Sequence, residues 1–184
     1  MKVMVDLETL SSGHNAVILS IGACTLDHEG VERREFYNRV DAESHESAGG
    51  RVSAGTALWW ADQSDDARRE ITRSVYPALH VNVALLNLAD WYKEVGGTEL
   101  WGNGADFDCV VLDDAYRLVG IKKPWSFRDH RCFRTLKSLF PHVAKPAIPG
   151  NVKHHALFDA KSQAAHAEQM LDRMRQASRA DELR

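Results

Sequence analysis

The stretch Val3-Met4-Val5-Asp6-Leu7-Glu8-Thr9-Leu10 constrains the fold more than any other part of the chain. It reads as a strand, and side chains alternate across a strand, so Val3, Val5 and Leu7 face one way while Met4, Asp6 and Glu8 face the other. With the apolar face buried, the opposite face carries two carboxylates two residues apart. Such a pair repels itself unless a cation sits between, and hard oxygen ligands suit Mg²⁺ or Mn²⁺. A strand end emerging into solvent explains the same two acids, and this stretch alone does not choose.

At 184 residues and 44% apolar composition the chain can build one compact core and is short for two. A single domain over residues 1–176 is expected, followed by a polar, frayed tail over 177–184. The net charge of −3 leaves no overall basic character, so a polyanionic partner must be held by a local patch or by bound metal. Cys24, Cys109 and Cys132 are odd in number and lack metal-type spacing, which argues against a disulfide framework or a zinc site and fits a reducing cytoplasm. No basic region followed by an apolar core opens the chain, and no apolar run approaches the ~18 residues that a membrane span needs. Neither secretion nor membrane insertion is expected.

Residues 16–26 form the next apolar run, a second strand in which Gly22 permits a close approach or a bulge. A hairpin turn at 27–30 leads to a half-exposed third strand over 31–40, completing an antiparallel meander. Residues 41–55 are small and polar, with Gly49-Gly50, and read as a mobile surface loop. A helix starting at Ser53 or Gly55 carries Trp59-Trp60. Neighbours on a helix are ~100° apart, so one ring must stand at a rim, where either tryptophan could stack on a nucleobase. A short solvated helix over 65–76 ends at Pro77, and a strongly periodic helix spans 81–95 before Gly96-Gly97. Residues 99–101 make a brief strand that turns through Asn103-Gly104-Ala105 into a helix over 106–119. Residues 124–127 read as extended, 131–140 as a short helix ended by Pro141, and a Pro- and Gly-containing loop then reaches His154-His155 and a last helix to about residue 176.

Chemistry-bearing residues thus sit in separate places: Asp6 and Glu8 on a strand, Asp106 and Asp108 at a helix start, and Asp159 beside two histidines. Each has an ordinary explanation. Asp106 complements a helix dipole at ~0.3 to 1 kcal/mol, and His155 with Asp159 is an i,i+4 surface pair.

The order and spacing of these residues resemble the His-type DEDD 3′-to-5′ exonucleases, which include proofreading subunits, ribonuclease T and oligoribonuclease. Asp6-Leu7-Glu8-Thr9 matches their Asp-x-Glu-Thr motif, Phe107-Asp108 the second motif, and His154-x-Ala156-x-x-Asp159-Ala160 the third. Together they span residues 6–160. Residues 16–22, Trp59-Trp60, Trp101 to Asp108 and Arg134-Thr135-Leu136 are similar to a smaller branch of phage exonuclease A and mycobacterial exoribonuclease type, related to exodeoxyribonuclease VIII. One position departs: many relatives have asparagine four residues before the second acid, where this chain has Gly104, with Asn103 next to it.

The resemblance implies an α/β, ribonuclease H-like fold whose mixed central sheet, antiparallel in its first three strands, is flanked by helices. It implies two Mg²⁺ or Mn²⁺ ions held by Asp6, Glu8, Asp108 and Asp159, with His154 as the base and 5′-mononucleotides as products. The partner is the 3′ end of a single-stranded nucleic acid, DNA or RNA. Glu8 and the Thr9 backbone would meet the terminal 3′-hydroxyl, Leu10 the last base, and Trp60 and Phe107 the substrate. Lys122, Lys123, Lys145 and Lys153 are candidates for phosphate contacts, and a homodimer fits by analogy. A catalytically silent binding module and a ribonuclease H-like endonuclease are the competing readings.

Overall fold

The strand that opens the chain, β1 (Lys2–Thr9), lies in the interior of a six-stranded sheet. The structure is a computed structural model that describes residues 1–26, 32–73, 76–148 and 153–182. β2 (Ile18–Thr25) runs antiparallel to β1, and β3 (Glu35–Val40) antiparallel to β2. A two-residue strand, β4 (Ala78–Leu79), lies parallel to β3 at one edge. On the other side β5 (Glu99–Gly102) runs parallel to β1, and β6 (His130–Cys132) parallel to β5. The order β4-β3-β2-β1-β5-β6, with its antiparallel meander, is the mixed sheet of a ribonuclease H-like fold.

Alternation along β1 separates two cores. Val3, Val5 and Leu7 pack with Leu85, Leu88 and Tyr92 of α4 (Val81–Glu94) and with Val111, Leu112 and Ala115 of α5 (Val110–Leu118). Met4 faces the other layer, among Phe133 and Leu136 of α6 (Phe133–Leu139) and Ala160, Ala164 and Met170 of α7 (Ala156–Glu182). Asp6 and Glu8 share that second face, so the two carboxylates lie under α7.

Four features differ from the sequence reading. Residues 41–55 are not a loose loop: α1 (Ala42–Ser47) is capped by Asp41, and the buried His45 accepts the Ile18 N–H at Nδ1, 3.0 Å away. Polar composition misled there because one buried histidine does the anchoring. β4 and β6 were missed because strands this short show no period, and pairing with a neighbouring backbone is what makes them strands. The helix after Gly104 begins as a π-helical turn, Ala105–Cys109, before α5. Finally, α7 continues to Glu182 rather than ending near 176, since residues 177–182 contain no glycine or proline to stop it.

α2 (Ala54–Ala61) and α3 (Asp65–Arg73) complete the chain, with Trp60, Leu19 and Ala67 forming a small third core. The expected hairpin turn at 27–30 and part of the loop before His154 lie outside the described residues. No helix among the described residues is long and apolar enough to cross a membrane.

Candidate active site

Glycines let the acids meet. Asp6 is paired across the sheet with Gly22, and a Cβ on Gly22 would land in the backbone of Ala156 and Leu157. The start of α7 therefore rests directly on the sheet, bringing Asp159 in its first turn to β1. Gln163, four residues further along the same helix, donates from Nε2 to Asp6 Oδ1 at 2.7 Å. From the other side, β5 ends at Gly102, and a Cβ there would come within 2.9 Å of the Asp108 side chain. The π-helical turn can thus fold Asp108 back over the strand end, where the Gly104 N–H donates to its Oδ2 at 3.3 Å.

His154 precedes α7 with φ of 62°, the left-handed conformation that ordinary side chains seldom adopt. Its N–H donates to Asp159 Oδ2 at 3.0 Å, tying the turn to the acid. The rings of Trp59 and Trp60 meet its imidazole edge-on, with centroids 4.9 and 5.9 Å away.

A cavity of about 550 Å³ is lined by Asp6, Glu8, Asp108, Asp159 and His154, together with Phe107, Asn103, Gln163 and the cations Arg134, Lys137 and Lys145. Burial, then repulsion from Asp108, Glu8 and Asp159, hold the Asp6 carboxyl well above the usual carboxylate range, against the Gln163 hydrogen bond. Burial likewise pushes Asp108 up to about 6, opposed by backbone N–H groups, that of Gly104 foremost. Charges so placed cost free energy unless a counter-charge is brought to them. Ligand atoms of Glu8, His154 and Asp159 all lie within 4.8 Å of one another, and the carboxylate oxygens among them, with those of Asp6 and Asp108 in the same cavity, suit a hard divalent cation such as Mg²⁺ or Mn²⁺.

The structure separates each pair of rival residues. Asp108 is buried in the cavity wall while Asp106 is exposed and outside it. His154 faces the acids while His155 is buried, its ring stacked on Tyr37 with centroids 4.7 Å apart. Three expected substrate contacts do not line the cavity. Thr9 is buried, its hydroxyl donating to Ser11 O and its carbonyl accepting from Trp60 Nε1 at 2.9 Å. Leu10 packs half-buried in the small third core. Trp60 is only 3% exposed, and the ring that reaches solvent is Trp59, at 44%. Of the lysines, Lys145 is on the wall and Lys122 is not, Lys153 is exposed just before His154, and Lys123 is ion-paired with Asp113. Gln163, Arg134 and Lys137 were not foreseen as site residues. The i,i+4 spacing of Gln163 from Asp159 was the available signal for the first.

A ribonuclease H-like sheet that gathers four carboxylates and a histidine beneath one helix start defines a class of phosphodiester-cleaving enzymes. Sequence comparison gives the family: the chain belongs to the 3′-5′ exoribonuclease Rv2179c-like domain family, matched over residues 1–171, and is a 3′-5′ exonuclease. No curated protein matches it.

Proposed function

We propose that the protein removes nucleotides one at a time from the 3′ end of single-stranded RNA, hydrolysing the terminal phosphodiester to release 5′-mononucleotides. The observation that carries this reading is the convergence of Asp6, Glu8, Asp108 and Asp159, from three separate chain segments, in one cavity with His154. RNA follows from the activity in the family's description. The four carboxylates would hold a pair of Mg²⁺ or Mn²⁺ ions. Such ions, when bound, would supply stabilisation of the charge that builds on the phosphoryl oxygens and a more acidic water for the attack.

The chain's own groups do the rest. His154 accepts the proton of the attacking water, the task an imidazole performs best near neutral pH. Its left-handed backbone, which costs about 1 to 3 kcal/mol, sets the ring beside Glu8 and Asp159, and the two tryptophan edges restrict its swing. Trp59 offers its exposed surface to the terminal base, a stacking contact worth ~1 to 3 kcal/mol. Phe107 contributes apolar wall to the same cavity.

Digestion of 5′-labelled single-stranded RNA and DNA with Mg²⁺, Mn²⁺ or chelator tests the reading. A metal-dependent ladder receding from the 3′ end of the RNA, with nucleoside 5′-monophosphates as products, is expected. Oligonucleotide that is bound but uncut in every metal, or nucleoside 3′-monophosphate product, would overturn it.

A further inference from the structure

Three cations share the cavity with the acids. Arg134 and Lys137 are an i,i+3 pair on α6, and Lys145 joins them from the loop beyond that helix. All three are exposed. Among the described residues none of them is in an ion pair, although ten other Lys or Arg side chains are. Two of the three are nevertheless held in place. The Arg134 N–H donates to Asn103 O at 2.9 Å, and its guanidinium stands where a side chain at position 104 would project, with Nη2 3.2 Å from a Cβ built on Gly104. The Lys137 ammonium lies 5.7 Å from the centroid of the Phe133 ring.

Resting on the exonuclease reading, we propose that Arg134, Lys137 and Lys145 form a track for the backbone phosphates upstream of the scissile bond. The enzyme then favours strands of several nucleotides over dinucleotides. The leaving nucleotide carries no phosphate beyond the scissile one, so it has no use for three cations. The upstream strand brings one phosphate per nucleotide. The strand therefore enters along α6, while the 3′-terminal nucleotide sits on the His154 and Trp59 side. In a chain whose net charge is −3, this wall is a local means of holding a polyanion that the overall charge would repel. Phosphate contacts of this kind position the strand without reading its sequence.

The test compares kcat/KM for 5′-labelled RNA of increasing length, from a dinucleotide to a decanucleotide, between the wild type and a variant carrying Arg134→Gln, Lys137→Gln and Lys145→Gln. Lys122→Gln, off the wall, is the charge control, and thermal melting verifies folding. The wild type should prefer the decamer, and the triple variant should lose most of that preference. Each lost contact removes ~0.7 from the slope of log affinity against log salt. Between about 50 and about 200 mM salt, wild-type decamer binding, measured by fluorescence anisotropy in chelator, should thus weaken roughly 20-fold more than that of the variant. A length preference and salt slope that survive in the folded triple variant, or that Lys122→Gln reduces equally, would overturn the track. If the wild type shortens no strand from its 3′ end, the exonuclease reading itself has failed, and the track falls with it.

Discussion

Asp6 stands on the central sheet, its Oδ1 accepting from Gln163 Nε2, with three other carboxylates close by. Gln163 is only 9% exposed and its Oε1 has no hydrogen-bond partner among the described residues, so half of the amide is buried at a cost while the other half orients the acid. Gln163→Leu keeps the bulk, discards the unsatisfied oxygen and frees Asp6 to rotate. The variant should fold as stably as the wild type yet bind Mn²⁺ about 10 to 100-fold more weakly by calorimetry. Unchanged affinity would mean that Asp6 is oriented by other means. At this scale the acids could be named from the sequence only through the order and spacing of three motifs over residues 6–160, since the pair on β1 alone fitted a strand end in solvent equally well. The sequence did not show what holds them, since a glutamine within a helix carries no such mark.

At the scale of elements, the approach of α7 to the sheet decides whether Asp159 reaches Asp6. Gly22 is where that approach is closest. In Gly22→Ala the new methyl group meets backbone rather than a side chain that can swing away, so the first turn of α7 must lift. Overpacking of this kind costs about 1 to 3 kcal/mol, a drop in Tm of roughly 2 to 12 °C. Exonuclease rate measured well below the new Tm should fall further than the lost stability accounts for. A variant with lowered Tm and wild-type rate would show that the helix start does not set the site. The glycine was legible in the sequence as a close approach or a bulge, but its partner, 134 positions away at Ala156, was not. Long periodic elements such as α4 could be read directly. β6 could not, because His130-Arg131-Cys132 becomes a strand only by lying beside β5. Which of Trp59 and Trp60 is buried was not legible for a similar reason: the ~100° step between adjacent helical residues required one ring at a rim, but only the small core around Leu19 decides which.

For the whole molecule, stability and chemistry rest on different groups. His45, 1% exposed on α1, holds the Ile18 N–H at the start of β2, and burial lowers its pKa from 6.5 to about 4, against a smaller opposing effect of Asp114. A depressed histidine pKa means that below about pH 6.5 the unfolded chain takes up a proton that the folded protein refuses. The His45 contribution therefore favours folding fully above that pH and declines as pH falls toward 4, by up to roughly 3 kcal/mol. His45→Asn retains an acceptor for Ile18 but cannot titrate. It should be less stable at pH 7.5, yet lose less Tm than the wild type between pH 6.5 and 5. An equal loss would place the acid sensitivity elsewhere.

The central claim is that the carboxylates of β1, the π-helical turn and α7 act as one divalent-cation centre. The most direct measurement follows Mn²⁺ bound, by electron paramagnetic resonance, and RNA shortening in the same samples, for the wild type and Asp6→Asn. Activity that rises in step with bound Mn²⁺ and is lost together with it in Asp6→Asn, by more than about 100-fold, is the predicted result. Full shortening in chelator, or an Asp6→Asn protein that binds no Mn²⁺ and still cuts at the wild-type rate, would contradict the account.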